Sequence, residues 1–84
     1  MGYFIYLLEC SDNSLYCGHT GDLEQRIKRH NAGTGGRYTR TRLPVKLVYS
    51  EKVLGKKKAM RREMEIKQCS RKQKEGLIEK NAKK

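Results

Sequence analysis

Tyr3-Phe4-Ile5-Tyr6-Leu7-Leu8 and Leu15-Tyr16-Cys17-Gly18-His19 stand on either side of Asp12-Asn13-Ser14. The outer runs are rich in aromatic and branched side chains, which suit a pleated, half-buried surface. Asp, Asn and Ser hydrogen-bond their own backbone and turn the chain. The stretch therefore predicts a β-hairpin. Each strand carries a tyrosine near its middle, Tyr6 and Tyr16. Taken alone, such a pair reads most simply as cross-strand aromatic packing.

Beyond the hairpin, Thr20 or Asp22 offers an N-cap, and Leu23, Ile27 and His30 recur at i, i+4 and i+7. That spacing predicts an amphipathic helix. Arg26, four residues before His30, shares a face with it beside the apolar stripe. Gly33 suits a left-handed helix end. Gly33-Thr34-Gly35-Gly36 and Arg37-Tyr38-Thr39-Arg40-Thr41-Arg42 then predict a basic loop that does not fold onto the core. A third strand is expected from Val45 to Ser50, with Val45, Leu47 and Tyr49 on one face.

A second helix is expected from about Lys56 to Lys67. It places Ala59, Glu63 and Ile66 in one stripe with Met60 and Met64 beside them. Glu65, about 200° further around the helix, faces solvent. A carboxylate among apolar residues is costly unless something cationic meets it, such as the side chain of Arg26. Ser70-Arg71-Lys72-Gln73 has the form of a capping box and opens a third helix that turns Leu77 and Ile78 inward. Residues 1–80 then make a single domain, with 81–84 a frayed basic tail.

The chain has 84 residues and a formal charge of +11. A chain this short buries only about 60–65% of its unfolded surface, so one small core under a cationic exterior is expected. No apolar run approaches the roughly 20 residues that span a bilayer. Tyr3–Leu8 is also too short, and lacks the preceding basic region, for a secretion signal. Cys10, Cys17 and Cys69 form an odd set with no CxxC pair, which argues against a disulfide framework or zinc site. Free thiols suit a reducing cytoplasm.

Phe4-Ile5-Tyr6, with Tyr16-Cys17-Gly18 ten residues on, resembles the paired signature of the GIY-YIG nuclease superfamily. Asp22-Leu23-Glu24-Gln25-Arg26 through His30-Asn31 is similar to that family's first helix, with its Arg and His four apart. Tyr38-Thr39-Arg40, Pro44-Val45 and Leu47-Val48-Tyr49 resemble its small stand-alone members. Ala59 to Glu63 resembles the helix that carries its metal-binding glutamate. The likeness runs from residue 3 to about 79. Three departures stand out: Phe4 replaces the first glycine, Cys17 replaces an aliphatic, and Glu75 lies where several active members place an asparagine.

The resemblance implies an α+β fold, a three-stranded antiparallel sheet flanked by about three helices. It implies phosphodiester hydrolysis with one divalent cation, Mg²⁺ or Mn²⁺, and DNA as the partner, single-stranded or branched by preference. DNA repair is among the roles of such relatives. Its catalytic set would be Tyr6, Tyr16, Arg26, His30 and Glu63, with Glu63 holding the metal.

These residue types suit the reaction. A carboxylate leaves most positions of a hard cation to water and phosphate. A guanidinium fork matches non-bridging phosphate oxygens. A phenol ordinarily titrates near 10, and a cationic neighbourhood favours its ionised form. Tyr6 is the favoured water base on this reading, Tyr16 a phosphate or water contact, and His30 the alternative base or the group that positions Tyr6. Tyr38, Arg40 and Arg42 are expected to contact the nucleic-acid backbone, with Tyr38 as a stacking platform. His19 is a candidate further site residue, but reads mainly as the end of its strand. The competing reading is a non-catalytic basic nucleic-acid-binding module, or a nuclease subunit that needs a protein partner.

Overall fold

Four consecutive side chains, Ile5 to Leu8, are buried, which is what a strand covered on both faces and both edges requires. In the computed structural model, which describes residues 2–82, this strand, β1 (Gly2–Glu9), is indeed central. It pairs antiparallel with β2 (Leu15–Thr20) from Phe4↔Thr20 to Glu9↔Leu15, and with β3 (Lys46–Leu54) along its other edge. The sheet order is β2-β1-β3. At the hairpin turn Asn13 takes φ 68°, a left-handed conformation that Asn tolerates better than most residues. The Asp12 carboxylate there accepts from the Ser14 amide at 3.0 Å.

Strand alternation splits the core in two. Ile5, Leu7 and Cys17 face Ala59 and Ile66 of α3 (Lys56–Lys67), with Leu77 and Ile78 of α4 (Arg71–Ala82) against them. On the opposite face Tyr6 and Leu8 meet Cys10, Val45 and Leu43, with Leu23 and Ile27 of α1 (Leu23–Asn31). Each fully buried Leu or Ile here contributes about 1.5–3 kcal/mol of transfer free energy. The expected caps form. The Asp22 carboxylate accepts from the Gln25 amide at 3.1 Å. Ser70 and Gln73 bond reciprocally, each side chain accepting from the other's amide at 3.2 and 2.9 Å.

Two expectations are corrected. The basic segment is not a free loop: Arg37–Arg40 forms a short helix, α2, and Thr39 is fully buried. Gly35 allows this, because a Cβ there would lie 2.7 Å from the backbone N and Cα of His30. The third strand is longer than Val45–Ser50 and contains a bulge. Leu7 pairs with Tyr49 and Leu8 with Leu47, leaving Val48 as the extra residue. Val48 and Tyr49 therefore both pack toward α3 and α4, Leu47 is 36% exposed, and Val45 packs on the other face. The expected tail begins inside α4, and residues 83 and 84 lie outside the described residues. Among the described residues, no helix is long and apolar enough to cross a membrane.

Candidate active site

Tyr6 sits opposite Gly18 in the β1–β2 register. A Cβ on Gly18 would lie 2.5 Å from the Tyr6 hydroxyl oxygen and 2.7 Å from Cζ. The missing side chain is what lets the Tyr6 ring lie across β2. The Tyr6 hydroxyl is 3.1 Å from His30 Nε2, and His30 Nδ1 is 2.7 Å from the Thr39 hydroxyl. That hydroxyl donates its single proton to the Gly36 carbonyl at 3.4 Å. It therefore accepts from His30 Nδ1–H, which leaves Nε2 to accept from Tyr6.

The three groups are sealed: Tyr6 is 2% exposed, His30 and Thr39 are 0%. Burial, helped by the neighbouring Tyr16 and Glu63 and opposed by Arg26, pushes the Tyr6 phenol well above its ordinary range. Burial and then the Arg26 charge hold His30 below its ordinary value. At neutral pH Tyr6 keeps its proton and His30 is uncharged.

Tyr16 packs outside this chain of hydrogen bonds, its ring centroid 5.3 Å from His30 and 6.4 Å from Tyr6, and it is only partly buried. Tyr38 stacks on Tyr16 at 5.8 Å and 25°. The Arg42 guanidinium lies 4.1 Å from the Tyr38 ring centre. It also donates to Asp12 at 3.0 Å and to the Tyr38 carbonyl at 2.8 Å. Tyr38 thus already stacks on protein groups, and Arg42 already has a carboxylate partner. Two hollows of about 310 and 320 Å³ carry the less committed arginines. Thr20, Gly21, Asp22, Gln25, Arg26 and Arg29 line one. Gly33, Thr34, Gly36, Arg37 and Arg40 line the other.

Glu63 approaches from the α3 side of β2. Its Oε1 is 2.9 Å from His19 Nδ1 and its Oε2 3.6 Å from Lys67 Nζ. It does not pair with Arg26, the structural partner entertained from sequence. The Cys17 thiol donates to the Glu63 carbonyl at 3.9 Å. Burial, with the Glu63 charge, pushes that thiol up to about 11, so it stays protonated. The charges of Arg26 and Glu63 act on the Tyr6 hydroxyl in opposite senses. Tyr6, Tyr16 and His30 thus touch on one face of the sheet, with Arg26 near enough for its charge to act on Tyr6 and His30, and Glu63, on the α3 side, near enough to act on Tyr6. No cluster of three His, Cys, Asp or Glu occurs among the described residues. A partly exposed carboxylate fits a hard divalent cation that keeps most of its positions for water and phosphate.

Several participants carry little sequence signal. Thr39 lies in a stretch that reads as loop, and nothing local marks it as the partner of His30. Asn31 brackets Val45, donating to its carbonyl at 3.2 Å and accepting from its amide at 2.8 Å. His19 was legible in principle, because a period of two from Cys17 puts both on the α3 face.

The fold is a small α+β domain, with tyrosines, an arginine and a histidine on one side of an edge strand and a glutamate on the other. The chain belongs to the GIY-YIG family: the model described as the GIY-YIG catalytic domain matches residues 2–76. GIY-YIG domains are nuclease domains that use a divalent metal and act on nucleic acid. A UPF0213 protein of Staphylococcus haemolyticus is 54% identical over 77 residues, covering 92% of this chain and 94% of the relative. One from Halobacterium salinarum is 51% identical over 76 residues, 90% and 99% of the two chains. The solution structure of a UPF0213 protein from Bacillus halodurans superposes with TM-score 0.60 at 46% identity, covering 94% and 84%. That of an E. faecalis protein gives 0.66 at 35%, covering 100% and 90%.

Proposed function

We propose that this chain is a divalent-metal-dependent DNA endonuclease that hydrolyses phosphodiester bonds with little sequence preference, favouring single-stranded or branched DNA. The observation that carries it is the packing of Tyr16 on the sealed Tyr6–His30–Thr39 chain, with the charges of Arg26 and Glu63 both acting on the Tyr6 hydroxyl. Glu63 would hold Mg²⁺ or Mn²⁺, which supplies Lewis-acid stabilisation of charge on phosphate and leaving oxygen.

Arg26 neutralises a non-bridging oxygen as negative charge builds, the largest kind of contribution in such reactions. Tyr16, the more exposed tyrosine, is the one open to the attacking water, and its ionised form would take the water proton. Tyr6 is the poorer base, since it is buried and donates its own proton to an uncharged His30. Its role is to fix Tyr16 and His30 in place. Arg40, Tyr38 and Arg42 serve the flanking backbone, Arg42 after exchanging Asp12 for phosphate. Three free thiols accord with a reducing cytoplasm.

The test is cleavage of end-labelled single-stranded, duplex and flapped DNA with Mn²⁺, comparing wild type with Glu63→Ala. Cleavage that disappears in the variant is the expected result. Salt-sensitive binding by both proteins without cleavage by either replaces this reading with the nucleic-acid-binding module or the partner-dependent subunit.

A further inference from the structure

We propose that His19 is a second, nitrogen ligand to the divalent cation, forming with Glu63 a two-donor chelate; this rests on the reading of Glu63 above. His19 Nδ1 and Glu63 Oε1 are 2.9 Å apart. Two donors at about 2.1 Å from one ion, at right angles to it, stand about 3.0 Å apart. The contact is an Nδ1···Oε1 hydrogen bond, so the ion takes the place of the shared proton, which leaves to solvent, at a spacing that already matches one edge of an octahedron.

The spacing is set by rigid elements. Ile5↔His19 pairing fixes β2 against the central strand. The Cys17 thiol on the Glu63 carbonyl ties the same stretch of β2 to α3. Both side chains keep solvent access, 26% and 17% exposed, leaving room for waters and a phosphate oxygen. Lys67, 3.6 Å from the other carboxylate oxygen, is on an exposed stem that can swing aside for the ion. His30 does not serve, because it is buried with both ring nitrogens engaged.

An imidazole donor shifts preference toward Mn²⁺, Co²⁺ and later divalent ions and away from Mg²⁺, which favours oxygen. A carboxylate merely steadied by a histidine N–H would show no such shift. The experiment is pulsed electron paramagnetic resonance of Mn²⁺ bound to wild type, prepared with natural-abundance and with ¹⁵N-labelled histidine, and to His19→Asn and Glu63→Gln. Asn keeps a donor for Glu63 but removes the imidazole.

Expected are a directly coordinated nitrogen in wild type that changes with the label, its loss in His19→Asn, and Mn²⁺ affinity at least roughly tenfold weaker, the lower bound set by outer-shell losses. The Mg²⁺ affinity should fall less. Bound Mn²⁺ with no nitrogen coupling, released by Glu63→Gln, overturns the chelate and leaves the Glu63 reading intact. Mn²⁺ binding indifferent to Glu63→Gln overturns both.

Discussion

The absent side chain of Gly18 decides where Tyr6 goes, so Gly18→Ala is a direct probe of the buried chain of hydrogen bonds. Its Cβ would meet the end of the Tyr6 ring, which is buried and held by His30. Overpacking of this kind costs about 1–3 kcal/mol, and urea unfolding should show a loss in that range together with slower cleavage. His30 gives a second handle. Its folded value lies below the ordinary 6.5, so between the two values the unfolded chain binds the extra proton. Stability is therefore fully present above about pH 6.5 and lost as pH falls toward the folded value. His30→Gln has no such group and should flatten this part of the profile. Melting temperatures from pH 7.5 to 5.0 that fall in parallel for both proteins would refute the buried neutral histidine.

At the scale of elements, the entry into β3 depends on Asn31, whose amide bonds both backbone groups of Val45. Asn31→Ala leaves those groups unpaired, at a cost of about 1–3 kcal/mol. Hydrogen exchange should show faster opening at Val45 than at Leu7 in the middle of the sheet. Unchanged exchange at Val45 would mean that the segment is held by its other contacts. The example also marks what the sequence made legible. Hairpin, helix caps and the placement of Glu63 in the α3 stripe all follow from local chemistry or period, and all were readable. The bulge at Val48 and the folding of Arg37–Arg40 onto His30 were not. Both depend on partners distant in sequence, and the glycine at 35 reads as flexibility when it actually permits close approach.

For the whole molecule, a formal charge of +11 predicts strong, salt-sensitive binding to nucleic acid, and this much needs no structure. What the composition conceals is which cations are already spent. Arg62 is held by Glu51 at 2.8 Å and Glu65 at 3.2 Å. Arg42, expected from sequence to contact DNA, is paired with Asp12 at 3.0 Å. Arg37 and Arg40 line a hollow and make no ion pair among the described residues. Neutralising a phosphate releases a counterion, so each productive contact steepens the fall of log K with log salt by about 0.7–0.9. Arg40→Ala should then weaken binding about equally across sequences and lower that slope by about 1. Arg62→Ala removes the same formal charge from a cation that is already neutralised and should leave the slope unchanged. Titrating a labelled single-stranded oligonucleotide from 50 to 200 mM salt, the range over which such contacts act most visibly, distinguishes the two. Equal changes in slope for both variants would mean that binding follows net charge alone. A change confined to Arg62→Ala would move the nucleic acid to the α3 face, away from the tyrosines.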